Sequence, residues 1–587
     1  MCGIFALLNN EHEIFDNKFV NTQFMKSASR GPDNSIYQRI LNQTHFGFHR
    51  LAINGLNDES NQPLRIDNVI LICNGEIYNY KELYKLIGVI PKTESDCEII
   101  IHLYIRFGIE YTLQLLDGVF AFILCDCDYN MDTFNMYIAR DPFGVRPLFT
   151  YKPFNSDIII FASELKNISN FTKVLYNNTV EHFQPGTFST YYFHTQVNSK
   201  WKLKTENVKY HSTGFNSIMY YTPRLNTLPD LCGTETIFED CIFQSIQNHL
   251  INAVKKRVLI SDRPIACLLS GGLDSSLITA LVNDVYKKYS TNNIPLETYS
   301  IGMEGSDDLY YARFVSEYLG TKHTEIKLTE QDFINAIPEV IYAIESYDTT
   351  TVRASIGNYL LGKYISKYSK AKIVFNGDGS DELCGGYLYM HACPNSLEFD
   401  KECRRLLTDI HMFDVLRSDK SISSHGLEPR TPFLDRSWVQ YYLSIHPNIR
   451  YHPKYNQCEK WLLRTAFSKE KIVNHESKPF LPDEILWRRK EAFSDGVSKT
   501  TKSLYQIIQE YVETIAINPI QNNTIYINPP KTTEQTYYRN IYETHYNGLG
   551  HLTPYFWMPK YVDAVDASAR TLNIYKNKTI TNKTQQK

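Results

Sequence analysis

Two rhythms of apolar and polar positions divide the 587-residue chain. In residues 2–205 the apolar positions come as short runs broken by turns: GIFAL, FGFHRLAI, VILICNGEIYN, GVFAFILCD and MYIARD. Such runs read as strands. Helical pieces are expected around 80–88 and 96–107. The mixture predicts an α+β domain of packed sheets. Residues 206–235, with HSTGFNS and NTLPDLCGT, are polar and turn-prone and read as a linker. From 236 the rhythm lengthens. A helix, FEDCIFQSIQNHLINAVKKRV, leads into the strand IACLL, a glycine turn and a second helix, LITALVNDVYKKY. Further strands are expected at ETYSIGM and KIVFNG, with helices between. Apolar strands alternating with helices predict an α/β domain over 236–570, built on a doubly wound parallel sheet. The polar, lysine-rich end, 571–587, reads as disordered. No internal repeat crosses these divisions.

Composition narrows the class. Hydrophobic content of 43% and charged content of 21% are globular values. A net charge of −3 offers no basic excess for nucleic acid and no basic amphipathic segment for a membrane surface. No apolar run is long enough to span a bilayer, and the start MCGIF lacks the basic region of a secretory signal. The twelve cysteines form no paired CxxC sets. Neither a zinc site nor a disulfide framework is indicated, and reduced thiols in a cytoplasm are the expectation.

Chemistry concentrates first at LLSGGLDSS, Leu268 to Ser276, between a predicted strand and a predicted helix. Gly271 and Gly272 let backbone N–H groups approach an anion. Ser270, Ser275 and Ser276 add hydroxyls, and the helix N-terminus adds partial positive charge. The lysine of a Walker A loop is absent. A bare SGG is as often a capped glycine turn; SGGxDSS at a strand–helix junction is far more specific. A second string, FNGDGSDELCGGY (Phe375 to Tyr387), follows another apolar strand. Ligands of open α/β sheets gather at the carboxyl ends of strands. Asp378, Asp381 and Glu382 there could hold a metal or act as bases.

In the first half, Cys2 becomes N-terminal if Met1 is trimmed. Its α-amine, with a reference pKa of about 7.7–8.0, can then take the thiol proton. Arg50, in HRLAIN, can clamp a carboxylate bidentately. Asn74 and Gly75, in NGEIYN, can supply a side-chain amide and a backbone N–H to an oxyanion. Glu76 and Asp96 can receive an ammonium. Each residue alone has a plain structural alternative, since a lone arginine after a strand is usually a surface residue and NG is usually a hairpin turn.

In order, MCGIF, RGPD (Arg30 to Asp33), HRLAIN, NGEIYN, SDCE, LDGVFAF and ARDPFGVRPL resemble class II glutamine amidotransferases with an N-terminal cysteine nucleophile. SGGLDSS resembles the pyrophosphate loop of the N-type ATP pyrophosphatases. Together, and through ESYDTTTVRAS, RSDKSISSHGLEPRTPFLD, RRKEAFSDGVS and YFWMPKY, the chain resembles the glutamine-hydrolysing asparagine synthetase family from Met1 to about Arg570.

The resemblance implies an Ntn-type αββα sandwich followed by an adenine nucleotide α hydrolase-like synthetase domain. It implies that aspartate and ATP, with Mg²⁺, form β-aspartyl-AMP and pyrophosphate. Ammonia released from glutamine then crosses an internal tunnel and completes asparagine. Cys2 would be the nucleophile. Arg50, Leu51, Ala52, Ile53, Asn54, Asn74, Gly75, Glu76 and Asp96 would bind glutamine. Leu268, Ser270, Gly271, Gly272, Asp274, Ser275, Ile301, Asn376 and Gly377 would bind ATP. Asp274, Asp308 and Asp381 would lie near magnesium. Thr350 and Arg353 are candidates for the aspartate carboxylate, and Lys490 for stabilising charge during the reaction. Asp378 stands where many family members have Glu, and Asn376 where they often have Ser. A β-lactam synthetase-like enzyme on the same domains would often lack Cys2 or the glutamine-binding set, and an amidophosphoribosyl- or aminosugar-forming enzyme would lack SGGLDSS. A degenerate binding protein on the same fold would lack catalytic groups. Homodimers occur among bacterial relatives, so a homodimer is possible here.

Overall fold

The computed structural model describes residues 1–11, 14–41, 43–128, 133–175, 180–194, 200–211, 235–289, 294–455, 458–498, 502–517 and 527–572. The first half holds strands β1 (Gly3–Leu8), β2 (Asn34–Leu41), β3 (Thr44–Arg50), β4 (Leu64–Ile66), β5 (Val69–Ile77) and β6 (Gly118–Asp126). It continues with β7 (Thr133–Arg140), β8 (Phe149–Tyr151), β9 (Ile159–Ala162), β10 (Val180–His182), β11 (Thr187–His194) and β12 (Trp201–Lys209). These form two sheets, ordered β10-β8-β9-β1-β3-β2 and β12-β11-β7-β6-β5-β4, with every neighbouring pair antiparallel.

Strand alternation explains the layering. Along β1, Ile4, Ala6 and Leu8 point into a core shared with Ile70, Ile72, Ile123 and Met136 of the facing sheet. Phe5 and Leu7 point the other way, onto Phe24 of the helix Asn17–Met25. On β5, Leu71 and Cys73 face outward beneath Ile99, Ile100 and Leu103 of the helix Ile99–Leu115. The result is helix, sheet, sheet, helix. Both faces of the central strands are buried, which is why their sequences read as continuous apolar runs.

The second half holds β13 (Ile265–Leu268), β14 (Glu297–Met303), β15 (Lys322–Leu328), β16 (Ile373–Phe375) and β17 (Glu428–Arg430) in an all-parallel sheet ordered β15-β14-β13-β16-β17. From β13 the chain winds one way through the helices Leu273–Tyr289 and Asp307–Leu319, then crosses to β16 on the other side. The crevice between β13 and β16 is therefore the topological switch point. SGGLDSS and NGDGSDE follow these two strands.

Two boundaries differ from the sequence reading. Residues 206–209 are no linker: they close β12, whose polar side chains are exposed along an outer edge strand, where polar residues are at home. Tyr210 then packs into the first domain and donates its hydroxyl to the Arg140 carbonyl at 2.7 Å. The helix that opens the second half begins at Glu235; the linker residues 212–234 lie outside the described residues. At the other end Thr571 and Leu572 are still part of the fold, and the tail expected from 573 onward lies outside the described residues.

Candidate active sites

Sheet register assembles the first site. Gly3 on β1 pairs with His49 on β3, so Cys2 lies beside the Arg50–Leu51 end of β3, and its thiol points to the Leu51 carbonyl at 3.7 Å. On β5, Asn74 and Gly75 pair with Ala121 and Phe120 of β6. A Cβ at Gly75 would come within 2.7 Å of the Val119 carbonyl oxygen, so strand contact alone demands glycine there. The Asn74 side chain is fully buried, and both its amide nitrogen and its amide oxygen lack a hydrogen-bond partner in the described structure. Such an orphaned buried amide is costly unless a ligand uses it.

The acids are held just as firmly. Asn54 donates to Glu76 at 2.7 Å, and the Ile77 N–H donates to Asp96 at 2.6 Å. Burial pushes the Asp96 carboxyl up to about 6. Burial, reinforced by Glu428 and Asp96, raises Glu76 well above the carboxylate range. An arriving ammonium would relieve both. Arg50 donates to the Asn57 carbonyl at 2.8 Å, to Asn61 Oδ1 at 2.7 Å and to the Gly55 carbonyl. Those bonds fix the fork and leave its Nε edge for a carboxylate. Ala52 and Ile53 are tied elsewhere: Ala52 N–H donates to Asp33 at 2.8 Å, its carbonyl accepts from Arg263 at 2.9 Å, and the Ile53 carbonyl accepts from Asp262 N–H at 3.2 Å. The loop that holds Ala52 and Ile53 is thus stapled to the second domain.

With Met1 in place the thiolate form of Cys2 is disfavoured. Burial pushes Cys2 up to about 11, and burial pulls the Met1 amine down to about 5. Removing Met1 would take away a buried side chain and put the amine on Cys2 itself.

The second site is a cavity of about 220 Å³ at the switch point. Leu268, Ser270, Gly272, Asp274, Ser275, Ile301, Asp308, Thr350, Asn376, Gly377, Asp378, Asp381 and Lys490 all line it. Gly377 is where the two loops touch: a Cβ there would lie 2.8 Å from Asp274 and 2.9 Å from the Ser275 nitrogen. Ser270 and Ser275 hydroxyls are 2.9 Å apart. Thr350 sits in the first turn of the helix Thr349–Tyr368, capped by Asp348, and its buried hydroxyl has no protein partner. Asn376 donates to Ser418 at 2.7 Å.

Charge in this cavity is tightly balanced. The Lys460 ammonium lies 2.6 Å from both Asp274 and Asp381, and Lys490 lies 2.5 Å from Asp381. Against the cost of burial, these two lysines hold Asp381 well below the carboxylate range. Asp378 is raised by burial, opposed by Arg417 at 3.4 Å. Glu382 is pushed well above its ordinary value by burial, with Asp414 and Asp381 adding to it, and Tyr387 donates to it at 2.5 Å.

Three expected residues sit differently. Gly271, with φ of +71°, is not among the residues that line the cavity; a Cβ there would strike Tyr311 Cβ at 2.4 Å, so packing against the helix Asp307–Leu319 by itself requires glycine. Arg353 does not line the cavity either. Its guanidinium is taken up by Glu534 at 2.8 and 2.5 Å and by Asp566 at 2.8 and 3.0 Å. A buried arginine held by two carboxylates is no free clamp for a third. Asp308 lies on the cavity wall but pairs with Arg488 at 3.2 Å, and burial raises it to about 7.

No group of three or more His, Cys, Asp or Glu side chains able to hold a metal exists among the described residues. Asp274 and Asp381, converging within reach of one lysine, fit a magnesium ion that arrives on phosphates, which needs only one or two protein carboxylates. Asp308 lies on the same cavity wall and is paired with Arg488 at 3.2 Å, as Asp274 and Asp381 are paired with Lys460.

Residues beyond the sequence reading join the two sites. On the helix Asp414–Ser423, Arg417 reaches Asp378, while Asp419 and Ser423 hold Arg30 Nη1, each at 2.8 Å. Arg30 Nε in turn donates to the Cys2 carbonyl at 2.9 Å. From β17, Arg430 lies 3.4 Å from Glu76. Arg417 and Arg430 fall within RSDKSISSHGLEPRTPFLD without a role of their own, Lys460 falls in no such string, and it is the folded contacts that give each its partner.

Residues 1–218 match the family model for a glutamine amidotransferase domain, and residues 245–401 and 393–551 match that for asparagine synthase. The glutamine-hydrolysing asparagine synthetase of Gallus gallus is 41% identical, over 98% of this chain and 99% of that one. The Homo sapiens relative of the same name is 40% identical with the same coverage. Among solved structures, the glutamine phosphoribosylpyrophosphate amidotransferase from B. subtilis is 15% identical, with a TM-score of 0.28 over 55% of this chain and 81% of that one.

Proposed function

The chain belongs to the family of glutamine-hydrolysing asparagine synthetases, and on that premise we propose how its residues divide the chemistry. The enzyme makes asparagine in an ATP-dependent reaction with glutamine as the nitrogen donor.

At the first site, Met1 is removed and the α-amine of Cys2 takes the thiol proton. The thiolate attacks the glutamine amide carbon, the Cys2 α-ammonium returns the proton to the amide nitrogen as ammonia leaves, and water then hydrolyses the glutamyl thioester to glutamate and the free thiol. Asn74 and the Gly75 N–H receive the developing oxyanion; the unpaired, buried Asn74 amide supports this role. Arg50 takes the α-carboxylate through its Nε edge. Glu76 and Asp96 take the ammonium, whose charge offsets two carboxyls that burial otherwise disfavours.

At the second site, Ser270, Gly272 and Ser275 present donors to the phosphates of ATP, and Thr350 offers its free hydroxyl to aspartate. The β-carboxylate attacks the α-phosphate, giving β-aspartyl-AMP and expelling pyrophosphate. Magnesium, held by Asp274 and Asp381, would neutralise phosphate charge when bound. Lys490 and Lys460 add fixed positive charge at the same place. Ammonia released at the first site then attacks the acyl carbon, Asp378 removes its extra proton, and the acyl–phosphate bond breaks to expel AMP and leave asparagine. The helix Asp414–Ser423, bonded at once to Asp378 and to the arginine that holds Cys2, supports a direct coupling of the two sites.

The observation that carries this reading is the convergence of the SGGLDSS and NGDGSDE loops on one cavity with Lys490. Incubation with aspartate, glutamine and ATP·Mg²⁺ tests it. Asparagine, glutamate, AMP and pyrophosphate are expected; ADP and phosphate would refute it. The eleven described cysteines are all free thiols, which supports a reducing, cytoplasmic setting. Among the described residues no helix is long and apolar enough to cross a membrane.

A further inference from the structure

After the helix Thr533–His545 the chain crosses back over the synthetase domain, and two of its residues, Trp557 and Ala569, become part of the cavity wall beside Lys490, Glu491 and Phe493. This last described segment is pinned at several points. Trp557 N–H donates to Asp348 at 2.8 Å. Asp566 takes Arg353 Nη1 and Nη2 at 2.8 and 3.0 Å. Asp566 also accepts from the Ser568 N–H at 2.8 Å. The Ser568 hydroxyl lies 3.0 and 3.1 Å from the two oxygens of Asp495. Arg570 lies 3.6 Å from Glu491.

Two of those anchors, Glu491 and Asp495, belong to the same short loop as Lys490. Asp495 is 1% exposed and lies in the single helical turn Phe493–Gly496. On its other side the loop is stopped by the domain itself. A Cβ on Gly496 would strike the Asp308 carboxylate at 2.4 Å, and the Val497 carbonyl accepts from Met303 N–H at 2.8 Å. The loop is clamped between the sheet and the C-terminal segment, and Lys490 projects from it to within 2.5 Å of Asp381.

A lysine is a long, rotamer-rich side chain, so its charge is placed only as well as its backbone is placed. Displacement of a reacting group by about 1 Å can cost roughly 100-fold in rate. We propose that the segment Trp557–Thr571 is the positioning element for Lys490: Ser568, acting through Asp495, sets the depth of the Lys490 loop in the adenylation cavity, and Asp566, which holds both Arg353 and the Ser568 N–H, keeps Ser568 in place. Arg353 is then a brace for this segment. The inference rests on the reading of Lys490 as the charge-stabilising lysine of that cavity.

The test uses the full chain with ammonia in place of glutamine as nitrogen donor. Ser568→Ala and Asp566→Asn should each lower kcat for asparagine formation by about tenfold or more. KM for ATP should stay within about twofold, and glutaminase activity should be unchanged. Ser568→Thr, which keeps the hydroxyl, should restore kcat to within about twofold. Normal kcat in both Ser568→Ala and Asp566→Asn would overturn the proposal. So would a joint loss of kcat, glutaminase activity and thermal stability without rescue by threonine, because that marks a general brace. Lys490→Gln separates the two levels. If it keeps synthesis, the reading of Lys490 fails and the inference falls with it. If it abolishes synthesis while Ser568→Ala is normal, the positioning inference alone is lost.

Discussion

Replacing Asn74 by alanine separates catalysis from folding unusually well. The Asn74 amide is fully buried, yet neither its nitrogen nor its oxygen has a protein partner. Its deletion therefore breaks no internal hydrogen bond, and it removes a polar group that has no protein partner. The remaining cost is a small cavity, so the change in folding stability should stay within about 1 kcal/mol. Catalysis is different. If the amide donates to the oxyanion, that bond forms only as the tetrahedral intermediate forms, and its loss falls on kcat rather than KM. Removal of one such donor costs about 100- to 1,000-fold in kcat, or about 2.7–4 kcal/mol. Steady-state glutaminase kinetics give the split between kcat and KM, a thermal melt reports the fold, and ammonia-dependent asparagine formation reports the second site. Expected together are a large loss of glutaminase kcat, an unchanged KM, a melting temperature close to that of the parent, and intact ammonia-dependent synthesis. Glutaminase activity within threefold of the parent would refute the oxyanion role. A collapse of thermal stability would refute the claim that this amide carries no structural bond.

Cys2→Ala should abolish glutamine-dependent synthesis and leave ammonia-dependent synthesis largely intact; residual use of glutamine would remove Cys2 from the mechanism. Asp378→Asn should abolish asparagine formation while glutaminase activity survives, and near-normal synthesis would dismiss Asp378 as base. Burial pushes the Asp96 carboxyl up to about 6, and only the charged form attracts an ammonium. Glutamine affinity should therefore weaken as pH falls through about 6 and hold above it; a flat kcat/KM for glutaminase from pH 5 to 7 contradicts the assignment. Lys460→Met strips the shared partner from Asp274 and Asp381. Breaking a buried pair in that way costs about 3–5 kcal/mol, so denaturant unfolding should show a loss of that order along with lost synthesis, and an unchanged midpoint would contradict it.

Much of this enzyme is written locally. Apolar runs bounded by turns located β1, β5, β6, β13 and β14, because a strand buried on both faces must be apolar throughout. The two Gly/Asp/Ser loops were visible because phosphate chemistry needs small residues and hydroxyls in one short stretch, directly after a strand. Cys2, Asn74, Gly75 and Arg50 could be named for the same reason, each lying in a string whose residue types suit one job, whereas roles for Asp274 and Lys490 came only from the family resemblance. The sequence misled where a residue's job depends on a partner far along the chain. Arg353 looked like a carboxylate clamp until Glu534 and Asp566, 181 and 213 positions away, were seen to occupy it. At Gly271 the sequence did not show a second demand for glycine: the Tyr311–Ala312 stretch of a neighbouring helix leaves no room for a side chain. Residues 206–209 looked like linker because an edge strand tolerates the same polar residues as a loop.

Residue types and short-range spacing thus determined which elements form and which chemical groups are offered. Tertiary structure decided which groups meet. Lys460 was added to Asp274 and Asp381, Arg417 to Asp378, Arg430 to Glu76, and one helix was set between Cys2 and the adenylation cavity. The physical reason is that a side chain's charge state and freedom are set by burial and by neighbours within a few ångströms. Those neighbours are chosen by how sheets and helices pack, which no local stretch of sequence records.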